Sequence, residues 1–206
     1  MNAITFAPFA LTFFLSGAPR LEPPTAPVNS HLWVVNELFS SADGTVQFIE
    51  MRECCGSTFE NSLANKKIFS DATGHQYTFP ANVPGNTAHR SLLLATASFA
   101  VLPGAPTPDF VIPENFFSTT ADTIRWHIYP DATLSFTAGQ LPLDGLRSFN
   151  RGTGTQINSP QNYAGQSGSV NVAAPVPGMP VGWVVALVAV VGLAGLAMLL
   201  PRAPRA

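Results

Sequence analysis

Charge is what this chain has least of. Asp, Glu, Lys and Arg make up 11% of its 206 residues, and the formal net charge is −2. Between His31 and Pro175, eleven carboxylates stand against seven Lys and Arg, a balance of −4 with no basic block. Phosphate binding needs clustered cations, so this balance argues against nucleic acid as a partner. Other absences remove further classes. There is no G-x-S-x-G elbow, no glycine-rich phosphate loop opening a helix, no Asp-x-Asp-x-Asp calcium loop and no N-glycosylation sequon. His31, His75, His89 and His127 show no metal-ligand spacing. The only two cysteines, Cys54 and Cys55, are adjacent and lack the intervening residues that let one zinc take both sulfurs. No cofactor, metal ligand or catalytic residue is expected.

What is present begins at the two ends. Ile4 to Leu15 is an apolar stretch of signal-peptide length, and Ser16-Gly17-Ala18 supplies the small residues of a cleavage site, so residues 1–18 read as a secretory signal. At the other end, Val181 to Leu200 contains no charged residue. As a helix rising about 1.5 Å per residue it spans roughly 30 Å, the thickness of a bilayer core. Trp183 suits the interface. Arg202 and Arg205 place residues 201–206 in the cytoplasm and everything before the helix outside. The order of Val176-Pro177-Gly178-Met179-Pro180, helix and basic end resembles the C-terminal sorting signals of bacterial surface proteins, the PEP-CTERM and IPTL-type tails. That resemblance implies delivery to the cell envelope and a sorting protease as a partner, with the helix itself as the membrane contact.

Between the ends, residues 19–30 form a Pro-rich lead-in. Residues 150–180 are rich in Gly, Ser, Asn, Gln and Pro with few large apolar residues, which reads as a flexible stalk. The central stretch is a succession of short β-branched and aromatic runs bounded by turn residues: HLWVVNELF, TVQFIEM, KIFS, QYTF, SLLLAT, DFVI, DTIRWHI and ATLSF. Asp43-Gly44 makes the first two a hairpin. A helical period shows only around Thr58 to Lys67. The pattern predicts an all-β fold, a β-sandwich or barrel, over residues 31–149.

VVNELF, a hairpin, then QFIEM resembles the opening of lamin-tail domains, and YTFP, SLLLAT and ADTIRW follow in that family's order. The most specific parts are Asn36-Glu37 and Phe48-Ile49-Glu50. The resemblance implies an immunoglobulin-like β-sandwich in which the two glutamates belong to the scaffold. Departures are Cys54-Cys55 at a turn and a Pro-rich loop at Leu102 to Pro108.

Glu37 and Glu50 sit inside apolar strands, where a carboxylate is costly unless paired or hydrogen-bonded. If their strands pair, the two lie close together. They then act either as an acid/base pair, as in an exported glycan hydrolase, or as a cation site, or else as scaffold acceptors for loop N–H groups or an arginine such as Arg52 or Arg125, and the scaffold role is the expectation. Cys54-Cys55 is open to three readings: a vicinal disulfide, bridges to another chain, or two free thiols. The first two make a redox-sensitive protein an alternative. Phe110, Phe116 and Phe117 are either a docking patch or edge-strand core, and core is the expectation. The leading function is an exported, membrane-anchored or surface-sorted noncatalytic binding or structural module, contacting envelope polysaccharide or another protein.

Overall fold

Strand β1 (Trp33–Ser40) turns back through residues 41–46 into β2 (Gln47–Glu53), and the two pair antiparallel. The turn is tied by Asp43, whose Oδ1 accepts from the Ser41 hydroxyl at 2.6 Å and the Thr45 N–H at 3.1 Å. Gly44 supplies the positive φ of 74° that this turn requires. The computed structural model describes residues 30–172. The expected signal segment (1–18), nearly all of the lead-in, the sorting motif, the membrane helix (181–200) and the basic tail lie outside the described residues.

The remaining strands are β3 (Lys67–Ser70), β4 (Gln76–Thr78), β5 (Ser91–Thr96), β6 (Phe110–Ile112), β7 (Asp122–Trp126), β8 (Tyr129–Phe136), β9 (Arg147–Asn150) and β10 (Gly154–Ile157). They form two sheets, one ordered β10-β9-β1-β2-β5-β6 and the other β4-β3-β7-β8. Every pairing is antiparallel except β5 with β6. The fold is therefore an all-β sandwich, with a four-residue helix α1 (Ala97–Ala100) as its only helix among the described residues. That helix is not long or apolar enough to cross a membrane. The segment from Thr58 to Lys67 is not helical: Leu63 is buried there, but the chain is irregular and turns at residues 64–65 before entering β3.

The main core lies between the sheets. Trp33, Val35, Leu38, Ile49, Met51, Leu92 and Leu94 of the first sheet meet Ile68, Ile124, Trp126 and Leu134 of the second. Phe116 and Phe117 join them fully buried and Phe110 packs half-buried, so these three are core. Both indoles are satisfied, Trp33 Nε1 by the Glu60 carbonyl at 2.7 Å and Trp126 Nε1 by the Ser30 carbonyl at 2.8 Å. The first sheet is also covered on its outer side. Alternate residues of the same strands, Phe39, Phe48, Leu93 and Ala95, pack with Phe99 and Val170 in a second cluster. Burial on both faces explains why SLLLAT is a continuous apolar run rather than an alternating one.

That outer cover corrects the domain boundary. Residues expected to be a stalk begin as strand β10 and continue as a strap, residues 158–172, laid across the first sheet. Asn158 anchors it: its Nδ2 donates to the carbonyls of Leu146 and Val170, and its Oδ1 accepts the Val170 N–H at 2.8 Å. Asn162 Nδ2 donates to Thr107 O at 2.9 Å, and Val172 N–H to Gly145 O at 2.7 Å. Gly145 has a φ of 77°, and a Cβ there would overlap the Val172 carbonyl, so the strap passes only over a glycine. The domain thus extends past Phe149 to Val172. The Gly-Thr-Gly-Thr run after Arg151 is the tight β9–β10 connection, not linker.

Candidate functional site

A bulge at Asn36 sets up the site. Val35 pairs with Met51, but after Asn36 the register shifts so that Glu37 lies opposite Glu50. The extra residue keeps Leu38 facing the core and turns Glu37, with Phe39, to the outer face. Glu50, next to the outward-facing Phe48, points the same way. Two carboxylates therefore sit side by side on neighbouring strands, 1% and 3% exposed. They line a hollow of ≈360 Å³, walled by polar residues including Asn36, Asn150 and Gln161, with Arg52 and Arg151 also lining it.

Every one of the four carboxylate oxygens accepts a hydrogen bond. Glu37 Oε1 takes the Ser148 hydroxyl at 2.6 Å and the Ser159 N–H at 2.9 Å, and Oε2 takes the Ser159 hydroxyl at 3.2 Å. Glu50 Oε1 takes Asn36 Nδ2 at 3.1 Å and the Ser91 hydroxyl at 3.2 Å, and Oε2 takes the Gln161 N–H at 2.8 Å. Ser159 and Gln161 belong to the strap, so the pair is what fastens it over β1 and β2. Among the described residues, no arginine forms an ion pair with either carboxylate. Arg125 pairs with Asp71 at 2.6 Å, and Arg151 donates to the carbonyls of Val35 and Thr133, tying β1 to β8.

Two buried like charges with no cation at ion-pair distance among the described residues hold on to a proton. Burial, and then the neighbouring Glu37 carboxylate, push Glu50 up to about 7. Burial also raises Glu37, against the pull of its bonds from Ser148 and Ser159. A raised carboxyl in a polar hollow is one mark of a general acid. Here, however, all four oxygens accept bonds from the protein's own amides and hydroxyls.

Immediately after β2 comes the cysteine pair. Cys54 and Cys55 are joined in a disulfide, and both residues are exposed. Their loop is organised by Glu53, which the sequence reading passed over. Its Oε1 accepts the N–H groups of Cys55 and Ser57, each at 3.1 Å, and its Oε2 those of Gly56 and His89, each at 2.8 Å. Burial alone would raise this carboxyl, but the four backbone bonds outweigh it and hold it below the ordinary value. The Glu53 carboxylate lies within 4.8 Å of both sulfurs. With the sulfurs bonded to each other and the carboxylate filled, this trio offers a metal no free ligand.

Of the family-motif residues, Asn36, Glu37 and Glu50 come together in the hollow, while Phe48 and Ile49 do not. Phe48 stacks on Phe39 at 5.3 Å in the outer cluster, and Ile49 lies in the main core. Val176, Pro177, Gly178, Met179 and Pro180 lie outside the described residues. The residues missed were the anchors of the strap, above all Asn158, Tyr163 and Asp109. Asp109 Oδ2 accepts both Leu93 N–H and Tyr163 N–H at 2.8 Å, joining β5 to the strap. The one available signal was the spacing of Asn158, Asn162 and Tyr163 in a segment otherwise of linker composition. Comparison with known proteins gives no match to this chain among family models, curated proteins or solved structures.

Proposed function

We propose that this protein is an exported, noncatalytic binding or structural module: one immunoglobulin-like domain of lamin-tail type, displayed from the cell envelope. A C-terminal helix anchors it, or a sorting protease reads the tail and delivers it to the surface. Its partners are envelope polysaccharide or another protein. The observation that carries this reading is the use made of the two carboxylates. Both accept bonds from the strap, and their remaining bonds come from β9 for Glu37 and from β1 and β5 for Glu50, so every oxygen is engaged in holding the fold, which favours attachment over acid/base chemistry. The exposed disulfide supports an oxidising compartment. Two measurements test the reading. Intact mass from membrane and medium fractions locates the chain and shows whether its tail is kept. Incubation with oligosaccharides tests for cleavage, and turnover abolished by Glu37→Gln would overturn the noncatalytic assignment.

One observation favours a second reading, redox sensitivity: the Cys54–Cys55 disulfide is exposed at a loop held by a single carboxylate. Reduction would then change assembly or partner binding. A Cys54→Ala/Cys55→Ala variant that matches the wild type in both, with and without reductant, sets this reading aside.

A further inference from the structure

The loops entering β3 and leaving β4 meet in a second hollow, on residues 58–61 and 82–86, with a volume of ≈550 Å³. It is a wide, open depression rather than an enclosed cleft. None of its seven lining residues is charged. Its apolar face is Phe59, which stands 55% exposed although it is a large aromatic. Its polar side chains are Thr58 and three asparagines, Asn61, Asn82 and Asn86, each asparagine anchored by one end of its amide. Asn61 Nδ2 donates to the carbonyls of Val83 at 3.0 Å and Gly85 at 2.7 Å. Asn82 Oδ1 accepts the Ala64 N–H at 2.9 Å, and Asn86 Oδ1 the Ala88 N–H at 2.8 Å. The opposite ends, Asn61 Oδ1 and the Nδ2 groups of Asn82 and Asn86, have no hydrogen-bond partner among the described residues.

The walls are stitched together. Val83 N–H donates to the Asn61 carbonyl at 3.1 Å, Glu60 N–H to Thr87 Oγ1 at 2.9 Å, and the Thr87 hydroxyl to the Ser57 carbonyl at 2.8 Å. A ligand therefore meets amides already oriented, and little ordering cost falls on binding.

The chemistry of this lining selects among ligands. An anion or cation finds no countercharge in it. An apolar side chain would cover the amide groups without bonding them, which costs their hydration. A sugar ring satisfies both halves of the lining, because it presents a C–H face to an aromatic and hydroxyls around its edge. We propose that this hollow binds a pyranose unit of a neutral polysaccharide. Phe59 packs on the C–H face, Asn82 and Asn86 Nδ2 donate to hydroxyl oxygens, and Asn61 Oδ1 accepts a hydroxyl proton. The proposal rests on the display reading and names its ligand class.

The test is calorimetric titration of the full-length protein in detergent with cellohexaose, laminarihexaose, mannohexaose and chitohexaose, and with polygalacturonate as the anionic probe. At least one neutral probe is expected to bind, with an affinity that salt leaves unchanged. Phe59→Ala and, separately, Asn82→Ala/Asn86→Ala weaken it by about tenfold or more. Phe59→Trp retains it, as does Val101→Ala, a change at an exposed residue outside the hollow. Since Phe59 is largely exposed, its loss leaves the fold intact, and the asparagine pair gives an independent reading if it does not. Failure of every neutral probe to bind overturns the proposal. So does binding that Phe59→Ala leaves unchanged, binding of polygalacturonate alone, or capture of an envelope protein instead of any glycan. Shortening of a bound probe would overturn the noncatalytic reading while leaving this site in place.

Discussion

Replacing Glu50 by glutamine removes one charge from a buried pair at nearly constant shape, and it should change how stability depends on pH. Burial and the Glu37 carboxylate raise the folded-state carboxyl from 4.5 to about 7. The unfolded chain releases that proton at the ordinary value, so between the two the folded state holds a proton the unfolded state has lost. Stability therefore falls as pH rises: the contribution is complete below about pH 4.5 and gone above about pH 7. At about 1.4 kcal/mol per unit the fall is on the order of 3 kcal/mol, and it belongs to the Glu37–Glu50 pair rather than to one residue. For a chain of this size it lowers Tm by roughly 6–12 °C. His127, held below its ordinary value by burial and then by Lys66, works in the opposite direction and reduces the net fall. Glu53 and Asp43 sit below their ordinary values, so their stabilisation is lost only on the acid side. The assay is urea unfolding of wild type and Glu50→Gln in steps from about pH 5 to about pH 8. The wild type should lose stability across this range and the variant less than half as much, crossing to become the more stable at the alkaline end. A wild type whose stability is flat or rises with pH, or a variant that keeps the full slope, refutes the account of the buried pair.

Three further outcomes follow from single contacts. Glu53→Ala leaves four loop N–H groups without an acceptor and should cost about 2–4 kcal/mol, and amide exchange at Cys55, Gly56, Ser57 and His89 should accelerate together in hydrogen-exchange measurements. Asn158→Ala cuts the strap's central anchor and should cost about 2–3 kcal/mol, with limited proteolysis moving to residues 158–172 while the sandwich stays protected. Tyr163→Phe removes the hydroxyl that reaches the Pro84 carbonyl at 2.5 Å and should barely change Tm, yet amide exchange in residues 82–88 should rise.

Much of the sandwich is legible in the sequence because each strand carries its burial in its pattern. HLWVVNELF and TVQFIEM yield the β1–β2 hairpin, and the Asp43-Gly44 turn fixes their pairing closely enough to bring Glu37 near Glu50. The bulge at Asn36 is not legible, since an inserted residue leaves the apolar count unchanged. The strap was misread for a physical reason. It buries one large apolar side chain, Val170, and is held instead by side-chain bonds from Asn158, Asn162, Glu37, Glu50 and Asp109 to backbone groups. Composition registers apolar burial and is blind to such bonds, so a docked strap and a free stalk look alike. The helix α1 is too short to show a period, and its only mark is Thr96, whose hydroxyl caps the Phe99 N–H. The helical period around Thr58 to Lys67 arises because Glu60 and Leu63 are both buried in an irregular segment. Glu60 is drawn in by its bond to the Leu32 N–H at 3.1 Å and by His31 at 3.6 Å.

The strap connects the parts of the molecule that the sequence keeps apart. It is fastened at Ser159 and Gln161 by the proton-holding carboxylates, and two residues later Tyr163 reaches across to the loop of the Phe59 hollow. Tyr163 is held on three sides: its N–H by Asp109, its carbonyl by Arg90 at 3.0 Å, and its ring beneath the Arg90 guanidinium at 5.5 Å. Its hydroxyl then braces the turn that carries Asn82 and Asn86. Loosening the strap at the carboxylates therefore removes a support from the wall of the hollow, through bonded neighbours rather than across empty distance. Glu37 and Glu50 lie under this segment, opposed on two strands of the six-stranded sheet. A carboxylate pair that is expensive to bury in isolation here ties the strap to the sheet and, through Tyr163, reaches the wall of the Phe59 hollow.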